Sequence, residues 1–174
     1  MSVIETLARE HSMFRRLLRR LEQSLEREER VARREVQNTL LVLFPALETH
    51  EEIEDVVFDP FVLEMKKGRR GFLGNVKRQH RLLHSLKKDV MRALDDASKV
   101  DFDYLRTVIL QLSEVLKHHL ASEEQTLWPE YLKFLGRSVS RSLDHRAAKK
   151  VKELELDIRD REEAIEDYLG SAQR

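Results

Sequence analysis

Two stretches of the chain carry the same pair of side chains at the same step: His50 with Glu54, and His119 with Glu123. Four residues is about one helical turn, so on a helix each pair points one way. His80 and His84 repeat that step with two imidazoles, and His11 adds a single one. A shift of 69 positions carries His11 onto His80, His50 onto His119, Glu54 onto Glu123 and Pro60 onto Pro129. With seven His in 174 residues, a given His meets another at a fixed offset about 4% of the time on composition alone. Two such matches plus a Glu and a Pro therefore mark an internal repeat. Leu17 on Leu86, Leu25 on Leu94, Leu43 on Leu112 and Leu47 on Leu116 obey the same shift.

These seven residues fall on apolar stripes, where unpartnered imidazoles and carboxylates cost several kcal/mol to bury. A pair of divalent cations would offset that cost, because imidazole nitrogens and carboxylates suit first-row metals such as Fe, Mn, Zn or Cu. Five His offer five donors and two bridging Glu offer four. A bridging oxygen brings the total to about eleven of the twelve positions of two octahedra. The position left over could take a small ligand such as O2, peroxide or NO, whereas a closed site would only hold helices together. The metal set read from the sequence is thus His11, His50, Glu54, His80, His84, His119 and Glu123. His118 and His145 lie off the pattern, and Glu51, Glu52, Asp55 and Glu124 read as solvated groups or as partners that orient imidazoles.

The elements that must position these residues are helices. Ile4, Leu7, His11, Phe14, Leu18, Leu21 and Leu25 predict a first helix over 2–28. Val36, Leu40, Leu43, Leu47, His50, Glu54, Val57 and Phe61 predict a second over 33–65, kinked at Pro45. Gly68, Gly71 and Gly74 predict a central loop. Val76 to Leu94 forms a third stripe that fades into the polar turn signal Asp95-Asp96-Ala97-Ser98, and Leu105 to Leu127 a fourth, ending near Gly136. Two helix hairpins that close each other's apolar faces make an all-α, antiparallel up-down-up-down four-helix bundle over 1–136. Residues 137–174 are charged and sparsely apolar, with Gly170 as a stop signal. They predict an extra, largely solvated C-terminal helix that lies across the bundle or pairs with a second copy in a homodimer.

The order and spacing of these residues resemble the hemerythrin, or HHE cation-binding, domain over about residues 1–135. That family carries a His on the first helix, H-x-x-x-E on the second, H-x-x-x-H on the third and H-x-x-x-E on the fourth. Here these are His11, His50 with Glu54, His80 with His84, and His119 with Glu123. The resemblance implies two iron ions joined by a bridging oxygen, and an O2-linked function. Oxygen-carrying members have an Asp five residues after the fourth-helix His, where this chain has Glu at four and a second Glu, Glu124, at five. Ferritin-like di-iron proteins instead use Glu-x-x-His at a three-residue step.

Composition narrows the rest. Lys+Arg and Asp+Glu balance at 32 each, which disfavours nucleic acid as a partner. The run Arg15-Arg16 with Arg19-Arg20 is offset by Glu22, Glu26, Glu28 and Glu29 and reads as a solvated face. There is no cysteine, so disulfides and thiol chemistry are excluded, and no apolar run approaches a membrane span. The start of the chain lacks the pattern of a secretion signal, so the expected setting is cytoplasmic. No Gly-rich phosphate loop or Ser-His-Asp set appears. Three roles remain open for one centre: O2 carriage or binding, a peroxide-, O2- or NO-consuming enzyme, and a metal-responsive sensor that signals through the tail.

Overall fold

The computed structural model describes residues 3–64, 71–95, 101–135 and 141–171, and among these it is helical with no strand. The helices are α1 (Val3–Ser24), α2 (Glu29–Glu64), α3 (Gly71–Asp95), α4 (Phe102–Ser122), α5 (Trp128–Leu135), α6 (Arg141–Glu153) and α7 (Glu155–Ser171). A π-helical turn, Glu123–Leu127, joins α4 to α5. No helix among the described residues is long and apolar enough to cross a membrane.

α1 packs on α2 and α4, and α3 packs on α4 and α2. Between α1 and α2 the chain tightens into three-residue steps: Leu25 N donates to Glu22 O at 3.2 Å and Arg27 N to Ser24 O at 3.1 Å. α1 therefore ends at Ser24, short of the expected 28. Arg106 of α4 donates to Leu25 O at 2.9 Å, satisfying a carbonyl that the helix end leaves bare. α4 is capped by Asp101, whose side chain accepts from Asp103 N at 3.2 Å.

Apolar side chains form two clusters. One gathers Phe14, Leu18, Leu40, Leu43, Leu83, Val90, Ile109, Leu112 and Leu116, and the other gathers Leu7, Ile53, Val57, Phe61, Leu127 and Tyr131. Along α1, α2 and α4 the candidate metal residues fall between members of the two clusters. A polar layer thus sits between two apolar ones, which exclude water from both sides.

The structure departs from expectation at several points. α2 runs unbroken through Pro45. The Pro45 carbonyl accepts from the Thr49 hydroxyl at 3.3 Å and from the Arg161 guanidinium. Gly71 and Gly74 belong to α3 and not to a loop. Gly68 and the turn signal after Asp95 lie outside the described residues. The tail is two helices, and it is not a solvated appendage. α6 and α7 pack on α2 and α1, burying Ile158 in one apolar cluster and Ile165 and Leu169 in the other. Gly170 lies within α7. The arginine face of α1 is what α7 rests on. Arg20 donates to the Tyr168 hydroxyl at 2.9 Å and lies over its ring at 4.3 Å, Arg16 pairs with Glu166, and Arg9 pairs with Glu162 at 3.0 Å.

Candidate metal centre

Each helix of the two pairs delivers its residues where its apolar stripe is interrupted. His11, His50, Glu54, His119 and Glu123 are all buried, none more than 2% exposed, and His80 is partly buried. They converge as two overlapping groups: His11, His50, Glu54 and Glu123, and Glu54, His80, His119 and Glu123. In each group the donor atoms lie within 4.8 Å of one another, close enough to hold a metal ion.

The carboxylates divide their oxygens between the groups. Glu54 Oε1 stands 3.0 Å from His50 Nε2, and its Oε2 stands 3.3 Å from His80 Nε2 and 3.9 Å from His119 Nε2. Glu123 Oε2 stands 3.4 Å from His11 Nε2, and its Oε1 stands 3.4 Å from His119 Nε2. Across the groups' own pairs, His11 Nε2 lies 3.0 Å from His50 Nε2, and His80 Nε2 lies 3.3 Å from His119 Nε2.

Outer hydrogen bonds fix which nitrogen carries the proton. His11 Nδ1 donates to Glu124 at 2.9 Å, His50 Nδ1 to Glu10 at 2.8 Å, and His119 Nδ1 to Gln79 at 3.4 Å. The neutral rings of His11 and His119 then turn the Nε2 lone pair inward, and His50 would do so once a metal displaces its second proton. The Nε2 lone pairs of His11 and His119 face this buried centre, and all four oxygens of Glu54 and Glu123 are sealed from solvent without a hydrogen bond of proper geometry. That arrangement is costly for side chains alone and suited to divalent cations, so the residues fit bound metal.

The side chains by themselves sort their protons unequally. Burial lowers the His50 imidazole, but the Glu54 charge and the hydrogen bond to Glu10 outweigh it, and its pKa rises to about 10. Burial, aided by the His50 charge, takes His11 down to about 4, and burial takes His119 to about 3. Burial would raise Glu54, yet the His50 charge holds it well below the carboxylate range. Burial and the Glu54 charge push Glu123 well above that range.

His84 is the one sequence-predicted ligand that the structure does not bring in. Its side chain is 54% exposed and pairs with Glu51 at 3.0 Å. Four residues turn about 40° past one helical turn, so His84 is carried further than His80 from the stripe of Val76, Leu83, Leu86 and Val90. Glu124, five residues after His119, turns outward to His11 and is held by Arg15 at 2.7 Å, while Glu123 turns inward. The π turn that begins at Glu123 also sets Trp128 against His11, with ring centroids 4.7 Å apart.

Sequence reasoning missed Glu10 and Gln79. A signal was there: the shift that aligns His11 with His80 places Glu10 on Gln79.

In comparison with known proteins, the model of the hemerythrin HHE cation-binding domain matches residues 2–131. No curated protein and no solved structure matches the chain.

Proposed function

Because the chain belongs to the hemerythrin HHE cation-binding domain family, we propose that it is a non-heme di-iron protein that binds O2, or a related small ligand such as peroxide or NO. The observation that carries this reading is the division of oxygens at Glu54 and Glu123, one toward each group of imidazoles. His11 and His50 would hold one ion, His80 and His119 the other, and the two carboxylates would bridge them. His84 stands beside this set with Glu51. When bound, two iron ions supply electrons for a small ligand and coordination positions for it to occupy. Four imidazole nitrogens and four carboxylate oxygens would supply about eight donors, fewer than two six-coordinate ions can take, so a small ligand would find room.

The chain's own residues do the rest. Glu10, Glu124 and Gln79 keep the outer ring protons in place, so the inward lone pairs are preorganised. The apolar clusters on either side keep bulk water from the centre. In this reading residues 1–136 form an antiparallel up-down-up-down four-helix unit, and 137–174 are its helical extension.

Metal analysis and an optical spectrum in air test the proposal. Protein purified without chelator carries about two iron ions per chain, and His50→Ala and His119→Ala each lose most of one. Stripping the metal lowers thermal stability, by about 4 kcal/mol where free metal stood at a thousand times its Kd. Retention of both ions in either variant, or an unchanged melting temperature on stripping, overturns the assignment. A visible band that fades reversibly as O2 is removed supports binding. Turnover of peroxide would move the protein to the enzyme class, and metal-dependent hydrogen-exchange protection of α6 and α7 would favour a sensor.

A further inference from the structure

We infer that Glu10 and Gln79 make the two metal positions unequal, so that the position of His11 and His50 takes its ion first and more tightly. The inference rests on the dinuclear reading above and goes beyond it. Glu10 and Gln79 occupy equivalent places in the repeat, each one residue before the His that its own helix contributes, and each reaches across to the His of the neighbouring helix. Their chemistry differs. Glu10 is buried, and its carboxylate accepts from His50 Nδ1 at 2.8 Å. Gln79 offers His119 a neutral amide oxygen at the longer distance of 3.4 Å, and its own NH2 donates to His118 Nδ1 at 2.8 Å on the exposed side.

A carboxylate behind an imidazole draws the Nδ1 proton toward itself and leaves Nε2 a stronger donor, and burial removes the water that would screen it. An amide does this far less. The first position has a carboxylate hydrogen-bonded behind both of its rings, Glu10 behind His50 and Glu124 behind His11, whereas at the second His119 has only the amide and Glu51 and Asp55 act on His80 through charge alone. Glu124 is partly neutralised by Arg15, which leaves Glu10 as the residue that sets the difference.

The test is a stepwise titration of the metal-free full chain with Co2+, followed by visible absorption and calorimetry. The wild type takes two ions in two separated steps. E10Q keeps the shape and the hydrogen bond but removes the charge, and it weakens the first step 10- to 100-fold while sparing the second. Q79E does the opposite and tightens the second step by a similar factor. Repulsion between the two ions is common to all three proteins, so it cannot produce these opposite responses. Unmoved steps in E10Q, equal weakening of both steps, or an unmoved second step in Q79E overturns the inference. Circular dichroism identifies a variant that does not fold. Gln79 lies on the partly exposed side, so Q79E decides the question by itself if E10Q is lost. Two ions bound without the differential response sink this inference alone, and failure of the wild type to take two ions sinks the dinuclear reading with it.

Discussion

The α1–α2 pair and the α3–α4 pair bring the same residue types to the centre in the same register, yet their surroundings differ. α6 and α7 lie on the first pair, and Ile158, Ile165 and Leu169 seal its outer face. On the second pair, Gln79 reaches from His119 to the exposed His118. The two glutamates differ as well. Glu54 sits in uninterrupted α-helix, while Glu123 opens a π turn that sends Glu124 and Trp128 to His11. A duplicated motif thus supplies the ligand types, and the covering helices and outer hydrogen bonds give the halves separate properties.

The largest expected effect separates the covered pair from the open one. Ile165 is 2% exposed and joins residues of α1 and α2 in the core, so Ile165→Ala costs about 2–5 kcal/mol of unfolding free energy. Leu110 on α4 is 43% exposed, and Leu110→Ala stays within about 0.5 kcal/mol of wild type. Urea denaturation of both variants decides the matter. If they cost the same, the tail is not part of the core and the contrast between the pairs fails.

A smaller effect concerns the contact that ties the pairs together. Glu22 of α1 accepts from Lys117 at 2.5 Å and from the Ser113 hydroxyl, both on α4. Burial raises the Glu22 carboxyl, but the two hydrogen bonds and the Lys117 charge outweigh it and the net shift is downward. A carboxyl depressed in the folded state contributes stability above its unfolded pKa, and that contribution fades as pH falls through the folded one. Melting temperature in E22Q is therefore expected to fall less steeply than in wild type on the acid side of the carboxylate range. Parallel acid limbs would show that this bridge does not couple the halves.

Much of this was legible because helical stripes report which face is buried. The stripes of α1, α2, α3 and α4 are those read from Ile4 to Leu127, and six of the seven candidate ligands share one cluster. What escaped depends on partners that periodicity does not name. Arg16 and Arg20 look solvated beside nearby glutamates until α7 brings Glu166 and Tyr168 to them. The thin stripe of Ile158, Ile165 and Leu169 looks insufficient until it fills a groove that α1 and α2 leave open. His84 obeys the spacing rule, yet the drift of a four-residue step carries it to Glu51 at the surface.

The smallest effect probes the start of the second pair. Gly74 lies in the first turns of α3, its φ is not positive, and a Cβ added there meets nothing within 4 Å. Glycine at such a place gives the unfolded chain more freedom to lose on folding and returns no contact, so Gly74→Ala is expected to add about 0.5–1 kcal/mol. The gain should appear in urea denaturation while the two-step uptake of Co2+ stays as in wild type, because Gly74 lies more than a turn from His80. A variant that gains nothing would mean that α3 pays no penalty for beginning at Gly71, and that the second pair is braced at this end as firmly as the first.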